Sequence, residues 1–119
     1  MSGAGEERFG ARVRRLREER DIGLRPFARM VGISATYLSK VERGELPPPA
    51  EDRVKEIARL LDQDPDELLA LAGRVASDLG EIIRERPREM ASFLRTVRGL
   101  GPEELRRLET EARGRKPGA

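Results

Sequence analysis

The chain has 119 residues, of which 37% are apolar, and it contains no cysteine and no histidine. Without these residue types it offers no thiolate or imidazole metal site, no disulfide and no catalytic mechanism based on Cys or His, so we expect neither a metal nor another cofactor and no enzyme. No apolar run approaches the roughly 20 residues of a membrane span, and the first residues lack a signal-peptide pattern. We therefore expect a soluble, cytoplasmic protein that has no contact with a membrane.

Charge is unevenly distributed along the chain, although the net charge is only +2. Residues 8–43 contain ten Lys or Arg and four Asp or Glu. Residues 44–73 contain three Lys or Arg and eight Asp or Glu. Clustered Lys and Arg residues attract phosphates. The first of these segments is therefore the expected contact region for an anionic partner.

Apolar residues recur at helical spacing through the first part of the chain. This pattern predicts five helices, over residues 6–20, 24–31, 35–43, 51–61 and 65–71. Pro26 and Pro65 fall in the first turns of their helices. The N–H that proline lacks would have no hydrogen-bond partner within the helix at these positions. Asp64 is positioned to cap the fifth helix, and the prolines at 47–49 predict a stiff connector.

The second and third of these helices predict a helix-turn-helix motif within residues 27–44. Gly32 can adopt the positive φ angle that the tight turn needs. Ser34 can cap the following helix by accepting a hydrogen bond from a backbone N–H of its first turn. The side chains expected to point outward, where a DNA major groove would meet them, are Ala35, Thr36, Ser39 and Lys40.

Three further short helices are predicted beyond residue 73. Their large apolar residues are too few to offset the backbone ordering cost of about 1 to 2 kcal/mol per residue, so they need a partner surface, most simply a second copy of the chain. The residues expected to dimerise are Leu79, Ile82, Ile83, Phe93, Leu94 and Leu105. The alternative is that these side chains form an internal core and no interface.

Residues 9–71 resemble the lambda-repressor-like, or Xre-type, DNA-binding domain. The resemblance rests on Leu-Arg-Pro-Phe-Ala at 24–28, Gly-Ile-Ser at 32–34, Tyr-Leu-Ser-Lys-Val-Glu-Arg-Gly at 37–44 and Asp-Glu-Leu at 66–68. It implies an all-α fold with a five-helix DNA-binding domain, which we place at residues 6–73. A small three-helix dimerisation region at 74–112 and a disordered tail at 113–119 follow.

The same resemblance implies roles for individual residues. The base-reading positions would be Ala35, Thr36, Ser39 and Lys40. The phosphate contacts would be Arg25, Ser34, Tyr37 and Arg43. Glu42 would be a buried acid paired with Arg17. The alternatives are that Tyr37 belongs partly to the core and that Thr36 is only a solvated helix residue.

The C-terminal part, from Val75-Ala-Ser-Asp-Leu-Gly-Glu-Ile-Ile-Arg-Glu-Arg-Pro87 through Leu108, resembles the DdrO family of repressors. That family controls the response to radiation and desiccation, and a metalloprotease called IrrE or PprI inactivates it by cleavage in the C-terminal region. By similarity the scissile bond here would be Leu105–Arg106; the alternative is that Leu108 is the relevant neighbour. Cleavage would remove dimerisation and operator binding.

These observations predict a dimeric repressor that binds a palindromic double-stranded DNA operator of damage-response genes and is inactivated by a metalloprotease. An antitoxin that covers a toxin with its C-terminal helices and autoregulates its operon is the alternative. A protein adaptor with sequence-indifferent DNA binding is a third possibility. An enzyme is the weakest, because the acids near Asp64 already have a sufficient role as a helix cap.

Overall fold

The computed structural model describes residues 7–115, and this range is all α-helical, as predicted. Its helices are α1 (Phe9–Glu19), α2 (Leu24–Val31), α3 (Ala35–Glu42), α4 (Glu51–Leu60), α5 (Pro65–Leu71), α6 (Ser77–Glu85), α7 (Pro87–Val97) and α8 (Pro102–Arg113). The sequence pattern located α1 to α5 to within three residues at each end. The largest difference is the start of α1, which was predicted at residue 6.

Backbone contacts divide the chain into two compact units, and the division follows Ser77. The sequence pattern predicts a boundary near residues 73 to 77. Residues 74–77 are fastened to the first unit because Ala76 is buried in its core. In addition, the Arg74 guanidinium donates hydrogen bonds to the carbonyl oxygens of Pro48 and Pro49.

The predicted outer limits of the two domains fall partly beyond the structure. Residue 6 and residues 116–119 lie outside the described residues. At the C-terminal end, the expected tail began at Arg113, but Arg113 is the last residue of α8. The described part of the second unit is therefore helical for one residue longer than predicted.

The core of the first unit is formed by one apolar stripe from each of its five helices. Its buried members include Phe9, Val13, Leu16, Phe27, Val31, Leu38, Val41, Val54, Ile57, Leu61, Leu68 and Leu69. Each fully buried side chain of this kind contributes about 1.5 to 3 kcal/mol through removal of apolar surface from water. This single core fixes α2 and α3 relative to the other three helices.

The backbones of α1 and α3 come into direct contact at Gly10. A Cβ atom at this position would overlap the carbonyl oxygen of Val41 and would lie 2.9 Å from the Cα atom of Glu42. Only glycine has no side chain to place there. The close approach brings the C-terminal half of α3 against α1, a contact that the sequence pattern does not predict.

The second unit has no interior of its own within its described residues. None of the residues of α6, α7 or α8 is buried. Pro87 and Pro102 begin α7 and α8, and the Glu104 carboxylate accepts a hydrogen bond of 2.9 Å from the Gly101 N–H, which caps α8. The unit therefore has ordered helix ends but leaves large apolar side chains in solvent.

Candidate nucleic-acid interface

The turn between α2 and α3 has the geometry that the sequence predicted. Gly32 has a φ angle of 87°, and its N–H donates to the carbonyl oxygen of Ala28 at 2.9 Å. Ser34 is the N-cap of α3, and its hydroxyl oxygen accepts a hydrogen bond of 3.0 Å from the Tyr37 N–H. These local bonds set the direction in which α3 leaves the turn.

The inner face of α3 packs on the core, and its outer face is open. Leu38, Val41 and Glu42 are buried. Thr36 and Lys40 are exposed, and because they are four residues apart they lie on one face of the helix. The outer face is therefore accessible within the described part of the chain.

The remaining α3 positions of the predicted DNA surface are half-buried. Ala35 and Tyr37 pack against the edge of the core, and Ser39 is likewise of intermediate exposure. The alternative that Tyr37 is partly a core residue thus fits the position of its ring. The Thr36 side chain is exposed, as the alternative of a solvated helix residue requires.

Arg17 and Glu42 form a buried bidentate ion pair between α1 and α3. Arg17 donates from Nε and Nη2 to the two carboxylate oxygens of Glu42, both at 2.9 Å, and from Nη1 to the Ile22 carbonyl oxygen at 2.8 Å. The two side chains are only 8% and 3% exposed. The hydrogen bonds to Glu42 raise the pKa of Arg17. The pair joins α1, the loop after it and the end of α3.

The other arginines of α1 are also neutralised by neighbouring acids. Each has a carboxylate partner within 3.1 Å, the pairs being Arg12–Glu7, Arg14–Glu18, Arg15–Glu7 and Arg15–Glu19. Hydrogen bonds from Arg15 and Arg12 lower the pKa of Glu7 to about 2. The positive charge of α1, which dominated the residue count, is therefore largely compensated within the molecule.

Most exposed cations of the first unit that lack a hydrogen bond or ion pair with any described residue lie on α2 and α3; Arg8, the residue before α1, is the exception. Arg25, Arg29 and Lys40 are exposed, and their side chains have no hydrogen bond or ion pair with any described residue. Arg29 was not among the predicted contacts. The signal for it was its position four residues after Arg25, which places both on one face of α2.

Arg43, the fourth predicted phosphate contact, is engaged by the protein itself. Its Nη1 lies 2.8 Å from the Glu45 carboxylate, and its Nε donates to the Ser39 carbonyl oxygen at 3.3 Å. Both members of this ion pair are about half exposed. Arg43 thus lies beside the outer face of α3, but its charge is paired with Glu45, whereas the charge of Lys40 is unpaired within the described residues.

The described residues give little support for other kinds of site. The described residues contain no group of three or more His, Cys, Asp or Glu side chains that could hold a metal ion. None of the helices in the range 7–115 combines the length and apolar character that crossing a membrane requires. The surface around α2 and α3 is the one on which the predicted contacts of the first unit converge.

We expect replacement of Arg17 by Met to destabilise the fold by about 3 to 5 kcal/mol, because it leaves the Glu42 carboxylate buried without a partner. Arg14→Met, which removes an exposed pair, should cost less than about 1 kcal/mol. Urea unfolding followed by circular dichroism measures both. Addition of Glu42→Leu to Arg17→Met should recover most of the loss, and equal costs for Arg14→Met and Arg17→Met would contradict this role of the pair.

The chain is similar to known proteins. The chain is 34% identical over 77 residues to RghRB of Bacillus subtilis (strain 168), which is described as an uncharacterized HTH-type transcriptional regulator. The alignment includes 65% of this chain and 55% of RghRB, so the chain spans about half the length of that relative. A solved structure of the SinR protein/SinI protein complex has a TM-score of 0.49 and 20% identity, covering 88% of this chain and 94% of that one.

The first unit also matches the model of a known protein family. Residues 8–71, which are just over half of the chain and include α1 to α5, match the model of the helix-turn-helix domain. The match contains the Gly32 turn, the Ser34 cap and the outer face of α3. The chain belongs to the helix-turn-helix domain family.

Proposed function

We propose that the chain is a transcriptional regulator that binds duplex DNA with the outer face of α3, which implies a cytoplasmic location. The observation that carries this proposal is the distribution of unpaired charge. The arginines of α1 are neutralised, whereas Arg25, Arg29 and Lys40 are exposed around the helix-turn-helix motif. Family membership and the description of RghRB as a regulator support it.

Base recognition is assigned to the outer face of α3. Lys40 can donate hydrogen bonds to O6 and N7 of guanine, and the methyl groups of Ala35 and Thr36 can pack against a thymine methyl group. The Ser39 hydroxyl can donate to or accept from a base edge. These four residues fall within two turns of one helix, which matches the way such helices enter a major groove.

Phosphate contacts are assigned to the margins of that face. Arg25 at the start of α2 and Arg43 at the end of α3 supply positive charge, and the hydroxyl groups of Ser34 and Tyr37 can donate hydrogen bonds. The Ser34 oxygen is used as the helix cap, but its hydroxyl hydrogen remains available. We add Arg29 to this set because it shares the α2 face with Arg25.

Lys40→Ala should lose about 1 to 3 kcal/mol of binding free energy on a duplex selected for tight binding, and much less on random duplex, because Lys40 contacts bases. Arg43→Ala should weaken binding to both duplexes alike, because phosphates carry no sequence information. Fluorescence anisotropy with both labelled duplexes measures the four affinities. Equal losses from Lys40→Ala on the two duplexes would refute its role as a base-contacting residue.

We further propose that the second unit joins two copies of the chain. Leu79, Ile82, Phe93, Leu94 and Leu105 are between 38% and 50% exposed, Ile83 is partly exposed, and α6 to α8 contain no buried residue. A second copy would cover this apolar surface and supply the missing interior. Two α3 helices would then lie about 34 Å apart or a multiple of this distance, which corresponds to a palindromic operator.

Leu94→Asp should convert the dimer into a monomer, because it places a charge in the apolar interface. Thr96→Asp adds the same charge at an exposed polar position of the same helix and should leave the dimer intact. Sedimentation equilibrium of the two variants and the unchanged chain makes the comparison. If the protein without substitutions sediments as a monomer, self-association is contradicted. That result would favour the antitoxin alternative, in which the apolar surface covers another protein.

The finer functional proposal rests on the resemblance of the C-terminal part to the DdrO family. In it the chain is a repressor of damage-response genes, and a metalloprotease of the IrrE or PprI type cleaves it between Leu105 and Arg106. Both residues are exposed on α8, a helix of twelve residues without a buried side chain. Such a short, unsupported helix opens at low cost into the extended form that a protease needs.

Leu105→Asp should slow cleavage by such a metalloprotease at least about tenfold, because a charge replaces the apolar residue at the scissile bond. Leu100→Asp changes a leucine of similar exposure that lies outside α8 and should be cleaved at the original rate. Electrophoresis of timed digests and mass spectrometry of the fragments provide the readout. Unchanged cleavage of Leu105→Asp would remove the bond from this position.

A further inference from the structure

Glu45 is an exception to the charge pattern around the helix-turn-helix motif. Between residues 22 and 50 the chain contains two acids, Glu42 and Glu45. Glu42 is buried in its pair with Arg17. Glu45 is therefore the single exposed acid in a described segment whose other exposed charges, on Arg25, Arg29, Lys40 and Arg43, are all positive.

The backbone holds Glu45 beside the last turn of α3. Its N–H donates to the Lys40 carbonyl oxygen at 2.8 Å, and the N–H of Leu46 donates to the same oxygen at 3.3 Å. Gly44 permits this reversal with a φ angle of 77°. Glu45 is thus attached to the carbonyl end of the helix turn that carries Lys40.

The Glu45 carboxylate forms an ion pair with the Arg43 guanidinium, which would otherwise extend the positively charged face of α3. Thr36, Lys40 and Arg43 are spaced four and then three residues apart, so they form one stripe along the helix. Lys40 is unpaired within the described chain, whereas Arg43 donates from Nη1 to Glu45 at 2.8 Å. The positive charge at one end of the stripe is thereby offset.

Fold stability gives no sufficient reason for this acid. The ion pair is about half exposed, and exposed pairs contribute little to stability. A negative charge near a helix C-terminus also interacts unfavourably with the helix dipole. The effect of Glu45 is therefore expected where the surface meets a ligand.

We propose that Glu45 is an affinity-limiting residue that weakens the binding of the α3 surface to every duplex by competing with phosphate for Arg43. The inference rests on the proposed function, DNA binding by α3. Arg43 neutralises a phosphate fully only when the Glu45 carboxylate is displaced, and the displaced carboxylate then remains close to the negatively charged backbone. Because phosphates are the same at every site, the penalty is independent of sequence. Because non-specific binding is then weak, the base contacts of Lys40 and its neighbours determine which DNA sites the protein prefers.

Glu45→Gln in the full chain tests this proposal. We expect it to bind a labelled random-sequence duplex about three- to tenfold more tightly at low salt, because one attractive charge is released and one repulsive charge is removed. The plot of log affinity against log salt concentration should become steeper by about one, as one more phosphate is neutralised. A duplex selected for tight binding should gain by the same factor.

The matched control is Glu56→Gln. Glu56 forms an exposed pair with Arg59 on α4, so this variant also removes one acid and releases one arginine, but on another helix. It should change duplex affinity by less than about twofold, since distant surface charges are screened. Thermal unfolding of both variants checks that each remains folded.

The outcomes separate this inference from the function on which it rests. A full chain that binds neither duplex at low salt would overturn the proposed function and this inference together. If the chain binds DNA but Glu45→Gln binds no more tightly than Glu56→Gln, only the inference is overturned. A gain confined to the selected duplex would likewise overturn it, because the role would then be one of base recognition.

Discussion

The buried pair of Arg17 and Glu42 is the interaction on which the proposed DNA surface depends. It joins α1 to the inner side of α3 with two hydrogen bonds of 2.9 Å and also holds the loop at Ile22. Next to it, Gly10 lets the two helix backbones touch. Because α3 is held from its inner side by charge and close packing, its outer side chains are not needed for stability. They are therefore available for contact with a ligand.

Charge pairing separates the structural arginines from those available to a ligand. The residue count predicted that residues 8–43 would attract an anionic partner, but acids at Glu7, Glu18, Glu19 and Glu42 neutralise the arginines of α1. The exposed cations that have no partner among the described residues of the first unit lie mostly on α2 and α3. The distribution of unpaired charge, rather than the net charge, thus indicates which surface of the first unit would face DNA.

The sequence predicted the features that follow from local rules. Helix positions, the positive φ of Gly32 and the Ser34 cap each depend on a few neighbouring residues. The close approach at Gly10 could not be predicted in this way, because its contacts lie more than thirty residues away. The attachment of Arg74 to the proline connector escaped prediction for the same reason. The Arg43–Glu45 pair is local, but whether two exposed side chains meet depends on rotamers that spacing does not specify.

The central claim is that a duplex contacts the open face of α3 and the margin of α2. An NMR titration of the isotope-labelled chain with a short duplex tests it most directly, because each backbone amide reports on its own surroundings. The account predicts that the largest shift changes fall on residues 24–29 and 34–45, while the inner positions at Arg17 and Gly10 change little. Shift changes concentrated on the backbone amides of α1 or of the second unit, with α3 unaffected, would contradict it.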